Sequence, residues 1–158
     1  MAKRPPGSIP LMLMGALGYA DCGWFVHPVR GKRPYLNEWQ KQASVDAYQL
    51  KEWWVRYPNA NVAIVTGLVS KLLVLDVDNK NGLVGKATLR QLEGQWGHLP
   101  ATLTVQTPHG LHFYFEHPGG TIRNSVSRLG DGIDVRCDGG YVVAPPSKVG
   151  GRVYEWLT

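Results

Sequence analysis

The stretch LLVLDVD at residues 72–78 decides how the second half of this chain is expected to fold. Apart from its two aspartates it contains only Leu and Val, a composition typical of a buried β-strand. Side chains alternate along a strand, so Asp76 and Asp78 lie on one face. Adjacent carboxylates repel unless a cation lies between them, and Mg²⁺ or Mn²⁺ prefers oxygen ligands. The stretch therefore predicts a strand with a candidate metal site; the alternative is a solvated strand end before the turn at 79–82.

A third carboxylate lies in GIDVR, residues 132–136. The apolar residues predict another partly buried strand, and the period of two places Asp134 and Arg136 together on its other face. If this strand lies beside the first, Asp134 joins Asp76 and Asp78 in a cluster of the kind that holds catalytic metals for phosphoryl transfer. The alternative is an ion pair between Asp134 and Arg136.

A glycine turn precedes the strand HFYF within TPHGLHFYF, residues 107–115. The strand period places His112 on the face opposite Leu111 and Phe113, which we expect to be the non-core face. An imidazole can bond to a phosphate oxygen, and the backbone of Gly110 permits close approach of an anion. A solvated surface histidine is the alternative.

The remaining pattern predicts helices before and within a mostly β second half, which is an α+β fold. A basic arm is expected at 1–8 and a long loop at 29–43. Helices are expected at 10–22, 44–57 and 83–96, and strands at 24–28, 62–66, 72–78, 103–106, 111–115, 133–136 and 141–144.

Composition limits the class of protein. The chain has 158 residues, 44% hydrophobic content and six tryptophans, enough for one domain with a sizeable core and too apolar for a disordered chain. Its net charge of +5 favours an anionic partner. Cys22 and Cys137 stand far apart with no C-x-x-C pair, so we expect no structural zinc and a reducing, cytoplasmic compartment. No stretch has the roughly 20 apolar residues that a membrane span needs.

Taken in order, these motifs resemble the archaeo-eukaryotic primase superfamily, in its bifunctional primase-polymerase (Prim-Pol) N-terminal branch. Three signatures match: LVLDVD at 73–78, GLH at 110–112 and GIDVR at 132–136. Supporting stretches are GKRP at 31–34, NVAIVTG at 61–67 and DGGYVVAPPS at 138–147.

The resemblance implies a modified RRM-like catalytic β-sheet with flanking helices and a small N-terminal αβ unit. Residues 1–158 would form one catalytic domain, with the αβ unit at about 9–70 and the RRM-like unit at about 71–158. It also implies roles: Asp76, Asp78 and Asp134 match the metal-binding acids, and His112 matches the histidine that contacts the triphosphate of the incoming nucleotide.

The implied activity is that of a primase and DNA polymerase, using two Mg²⁺ or Mn²⁺ ions. Single-stranded DNA template, primer, dNTPs and conceivably rNTPs would be its substrates, in replication of a phage, plasmid or other mobile element of a bacterial or archaeal host. We expect a helical or helicase domain downstream, and extension of primers that is faster than their initiation.

Other polar residues near the motifs are candidates for binding. Arg136, Ser147 and Lys148 are expected to contact the triphosphate beside Gly110 and His112. Template phosphates are expected at a set of basic residues for which a solvated surface is the alternative: Arg30, Lys32, Arg33, Arg123 and Arg128.

Two other functions use parts of the same pattern. A metal-dependent nuclease would use the three acids but would have no need of a nucleotide site around His112. A non-catalytic RRM-like module would present exposed aromatic residues on its sheet and would not need clustered acids, which repel a nucleic-acid backbone.

Overall fold

The computed structural model describes residues 8–158, so the predicted basic arm at 1–8 falls almost wholly outside the described residues. The chain has the α+β fold that its sequence predicts. The helices are α1 Leu11–Asp21, α2 Trp39–Gln42, α3 Ala47–Arg56 and α4 Gly85–Trp96. The strands are β1 Val26–Arg30, β2 Arg33–Pro34, β3 Asn61–Val65, β4 Leu72–Asp78, β5 Leu103–Gln106, β6 Gly110–Glu116, β7 Ile133–Arg136, β8 Tyr141–Ala144, β9 Lys148–Val149, β10 Arg152–Val153 and β11 Glu155–Trp156.

Five strands form an antiparallel sheet in the order β11-β5-β6-β4-β7, here called the acid-bearing sheet. The LLVLDVD stretch is β4, which pairs with β6 on one side and β7 on the other. The sequence predicted a three-carboxylate cluster only if β7 lies beside β4. The pairing of these two strands meets that condition.

A second antiparallel sheet, here called the N-terminal sheet, has the order β2-β1-β3-β8. The division at residue 70 needs correction, because β8 follows the acid-bearing strands in sequence but pairs with β3. β3 is buried along its whole length, so both of its edges require strand partners. The loop expected at 29–43 also contains β2 and α2, which are too short to produce a periodic signal.

Two apolar clusters hold the layers together. The larger one joins α1, α3 and the N-terminal sheet to one face of the acid-bearing sheet, where Val74 is wholly buried. The smaller one packs Leu75, Val77 and Ile133 of the other face beneath leucines of α4. β4 is thus packed on both faces. Asp76 and Asp78 lie towards its C-terminal end, where the larger apolar cluster ends and a cleft begins. None of the described helices combines the length and apolar character needed to cross a bilayer.

Candidate active site

Three polar side chains form a row across the middle of the acid-bearing sheet. Asp76 on β4 lies directly opposite Asp134 on β7 and directly opposite His112 on β6. Directly opposed residues of antiparallel strands share a face and have Cβ atoms roughly 5 Å apart. The register therefore brings two carboxylates and an imidazole together although they are far apart in sequence.

Asp78 extends the row along β4, where it lies opposite Gly110. The Nζ atom of Lys80 lies 3.4 Å from Oδ2 of Asp78. Gly110 itself is buried, and a Cβ there would overlap the carbonyl oxygen of Val77. Close approach of β6 to β4 thus accounts for this glycine, and a contact of its backbone with an anion remains a prediction.

His112 is not on the solvated face that its sequence pattern predicted. Only 5% of the residue is exposed, because the N-terminal unit covers this side of the sheet. Its Nε2 lies 3.4 Å from Oδ1 of Asp76, whereas its buried Nδ1 has no hydrogen-bond partner among the described residues. Burial alone would raise the pKa of Asp76, but the hydrogen bond and charge of His112, helped by Arg136 and Lys32, lower it below its ordinary value. Asp76 is therefore an anion near neutral pH.

Both oxygens of Asp134 accept hydrogen bonds. Oδ1 accepts the backbone N–H of Ser127 at 2.9 Å, and Oδ2 accepts Nη2 of Arg136 at 2.8 Å. Asp134 therefore forms the ion pair with Arg136 that was the alternative expectation, and it also lies in the acid row opposite Asp76. A carboxylate oxygen has a second lone pair, so these bonds leave each oxygen able to act as a ligand.

The row opens into a cleft of about 300 Å³ between the two sheets. Asp76, His112 and Arg136 line it from the acid-bearing sheet, and the aromatic rings of Trp39 and Tyr141 line it from the N-terminal side. One wall of the cleft is therefore charged and the other is aromatic.

A wholly buried histidine lies behind the aromatic wall. The ring of His27 stacks on that of Trp39 with centroids 4.8 Å apart and meets the ring of Tyr141 edge-on. Neither of its nitrogens has a hydrogen-bond partner among residues 8–158, and burial lowers the pKa of His27 to about 4. His27 is therefore neutral at physiological pH and acts as a third aromatic ring.

Lys32 was expected on a DNA-binding surface, but it lies at the cleft. It lines the main cavity with Asp76 and also a small neighbouring one, of about 20 Å³, with both Asp76 and Asp78. Like Lys32, the other four basic residues expected to contact template are exposed, and their role remains a prediction: Arg30, Arg33, Arg123 and Arg128.

Two of the expected triphosphate contacts lie elsewhere. Ser147 is wholly buried, and its hydroxyl accepts the N–H of Val62 at 2.9 Å and donates to the carbonyl of Val62 at 3.3 Å. It fastens the chain after β8 to β3, so its assignment to the triphosphate is corrected. Lys148 lines a separate groove beside the start of α1 and is absent from the lining of the cleft.

Several residues of the cleft were missed by sequence reasoning. Trp39 and Tyr141 carried no signal beyond being single aromatic residues beside glycine and polar residues. Tyr154 also lines the cleft, with its ring centroid 6.0 Å from that of His112, and burial followed by the charges of Asp76 and Asp78 raises its pKa. Lys80, which pairs with Asp78 beside the cleft, had a usable signal, since it stands two residues after the second aspartate.

Outside the cleft lies the one group of three potential metal ligands whose donor atoms converge among residues 8–158; the donor atoms of Asp76, Asp78 and Asp134 do not all lie as close together. Donor atoms of His117, Cys137 and Asp138 lie within 4.8 Å of one another. Nδ1 of His117 accepts the N–H of Gly119, which leaves Nε2 to donate to Oδ1 of Asp138 at 3.1 Å. Asp138 also accepts two backbone N–H groups, from Leu68 and Ile122. Through these hydrogen bonds, His117 and Asp138 hold neighbouring loops together without a metal. That the chain needs no zinc stays a prediction.

A comparison with protein families finds one match. The family model described as bifunctional DNA primase/polymerase, N-terminal, covers residues 16–158. The chain belongs to this family. A search of curated proteins finds no match. Membership in the Prim-Pol family supports an activity of the primase and polymerase type, with DNA and nucleotides as substrates and a general dependence on divalent metal.

The acid row is suited to such a metal by the chemistry of its donors. Asp76, Asp78 and Asp134 offer oxygen ligands from two adjacent strands, and hard divalent cations prefer oxygen. Each carboxylate also has a basic partner, namely His112, Lys80 or Arg136, and for Asp76 these surroundings lower the pKa of the carboxyl group.

Proposed function

We propose that this chain is a DNA-dependent nucleotidyltransferase that extends or synthesises primers on single-stranded DNA. The observation that carries the proposal is the register of β7, β4 and β6, which aligns Asp134, Asp76 and His112 in one row, of which Asp76 and His112 line the cleft. Membership in the Prim-Pol family supports the same reaction class. We also propose that the reaction serves replication of a phage, plasmid or other mobile element, which rests on the family resemblance alone.

Asp76, Asp78 and Asp134 would hold Mg²⁺ or Mn²⁺ in this cleft. When bound, two such ions supply activation of a 3′-hydroxyl and stabilisation of charge on the departing pyrophosphate. The chain's own part is to fix the backbone that carries the acids: β4 is buried on both faces, and Asp134 is held by Ser127 and Arg136.

His112 is assigned to the triphosphate of the incoming nucleotide. Its imidazole lies at the wall of the cleft beside Asp76, and an imidazole N–H can donate to a phosphate oxygen. Arg136 lines the same wall and is a second phosphate contact. The aromatic wall opposite, where the rings of Trp39 and Tyr141 meet edge-on, supplies apolar surface against which a base or sugar packs.

The test is extension of a labelled primer annealed to a DNA template, with dNTPs or rNTPs and either Mg²⁺ or Mn²⁺. We expect elongation that EDTA abolishes and that Asp76→Asn lacks, while Asp131→Asn, which alters an exposed acid outside the cleft, elongates like the wild type. Shortening of the DNA without elongation would replace the proposal with a metal-dependent nuclease. Binding of DNA with neither reaction would replace it with a non-catalytic RRM-like module.

A further inference from the structure

The acids of the cleft each have a basic partner already. Arg136 pairs with Asp134 at 2.8 Å, Lys80 with Asp78 at 3.4 Å and His112 with Asp76 at 3.4 Å. Lys32 is a further cation at the same cleft, and among residues 8–158 it forms no salt bridge. Its charge is therefore available to an anionic ligand.

The turn that carries Lys32 is fastened from two other strands of the N-terminal sheet. The hydroxyl of Tyr141 on β8 donates to the carbonyl of Lys32 at 2.7 Å, and Nδ2 of Asn61 on β3 donates to the carbonyl of Gly31 at 3.0 Å. Asn61 is itself buried and bonded to Lys148 as well. These two tertiary hydrogen bonds fix the backbone of the turn, and with it the position from which the Lys32 side chain extends.

The charged groups that surround Lys32 belong to the acid row and its basic partners. Partial burial and the nearby ammonium of Lys80 lower its pKa, while Asp76 and Asp78 act in the opposite direction. Cations placed among the acids would repel Lys32, and a polyphosphate bound with them would attract it. Because Lys32 lines both cavities that Asp76 borders, it lies beside the place where the anionic part of a nucleotide would bind.

We propose that Lys32 binds the polyphosphate of the incoming nucleotide and that Tyr141 is the positioning residue that holds its turn. This inference rests on the proposed function, because it names a contact for the nucleotide in the same cleft. It replaces the sequence-based assignment of Lys32 to the template backbone.

The inference is tested by nucleotide binding to the whole chain, measured by calorimetry with Ca²⁺ in place of the catalytic metal. Lys32→Ala should weaken binding of a dNTP about tenfold, the loss typical of one charge-assisted hydrogen bond, and change binding of the matching dNMP less than about twofold. Lys41→Ala removes the same charge from an exposed residue of α2 and should bind both like the wild type.

The role of Tyr141 is tested by removing only its hydroxyl. Tyr141→Phe should weaken dNTP binding about threefold in the wild-type background and have no further effect in Lys32→Ala, since its action runs through that residue. Equal effects in both backgrounds would overturn the positioning role, because a merely structural tyrosine acts independently of Lys32.

Two results separate this inference from the proposed function. Wild-type protein that binds no dNTP with metal present would overturn the proposed function and this inference with it. Tight wild-type binding that Lys32→Ala leaves unchanged would overturn the inference alone. So would a loss confined to single-stranded DNA affinity, measured by fluorescence anisotropy, which would return Lys32 to the template.

Discussion

The two sheets that face each other across the cleft contribute different chemistry by different means. The acid-bearing sheet presents charged side chains from strands, where register sets their spacing. The N-terminal sheet presents aromatic rings and one cation, from α2, β8 and a turn that hydrogen bonds hold in place. Groups on paired strands are positioned by the fold itself, whereas groups on turns require separate contacts to hold them.

The charge of the two walls differs as well. Each acid on the acid-bearing sheet has a basic partner, so this wall is nearly balanced before any ligand binds. The opposite wall contains a neutral buried histidine behind Trp39 and Tyr141. We therefore expect changes on the first wall to affect chemistry most strongly, and changes on the second to affect binding and stability.

The largest effect is expected from the acid row. Asp76→Asn, Asp78→Asn and Asp134→Asn should each reduce primer extension on the order of 1000-fold, because each removes a charged oxygen ligand at the reacting centre. Their melting temperatures should stay within about 5 °C of the wild type, since the amide keeps the shape of the carboxylate. Extension rates and thermal melts of the variants beside Asp131→Asn check this. Near wild-type primer extension by Asp134→Asn would show that β7 contributes no essential residue to the site.

The close approach of β6 to β4 is tested by substituting Gly110. Gly110→Ala should destabilise the protein by about 3 kcal/mol or more, because its Cβ would overlap the carbonyl of Val77 and force β6 away from β4. Gly94→Ala in α4 has open space around it and should stabilise by about 0.5–1 kcal/mol. Urea unfolding of both variants measures the contrast; a stable Gly110→Ala protein with normal nucleotide affinity would show that β6 can shift freely.

His112 distinguishes nucleotide binding from template binding on the charged wall. His112→Asn should weaken dNTP affinity about tenfold, because it loses the imidazole contact to phosphate, and leave affinity for single-stranded DNA nearly unchanged. His98→Asn changes a histidine that is 91% exposed in its side chain and serves as the control. Equal losses for dNTP and DNA would reassign His112 to structure or to the template.

Protonation of His27, which lies behind the aromatic wall, should make the stability of the protein depend on pH. The pKa of His27 is about 4 in the folded chain and higher in the unfolded chain, so the unfolded state binds more protons as pH falls, and stability decreases. Between about pH 7.5 and pH 5 this one residue should account for a loss of about 2 kcal/mol. His27→Phe, which keeps a ring against Trp39, should lose less stability over that range than the wild type or His98→Phe. Parallel urea curves for all three would show that His27 is protonated without penalty.

The sequence predicted the charged wall far better than the aromatic one. Strand periodicity placed Asp76 beside Asp78 and Asp134 beside Arg136, and the motifs supplied the three strands that carry the row. Ser147 was misassigned because its burial depends on β8 returning to β3, which no local pattern reveals. Lys32 was expected on the DNA surface for a similar reason: the bond from Tyr141 to its turn joins residues more than a hundred positions apart.

The acid row is tested most directly by measuring Mn²⁺ binding in the presence of a dNTP, with electron paramagnetic resonance reporting the free ion. Wild-type protein and Asp131→Asn should bind Mn²⁺ alike, and both Asp76→Asn and Asp134→Asn should bind it at least about tenfold more weakly. Such a shared loss from two strands is what a site spanning β4 and β7 requires. Unchanged Mn²⁺ affinity in Asp76→Asn and Asp134→Asn would contradict it.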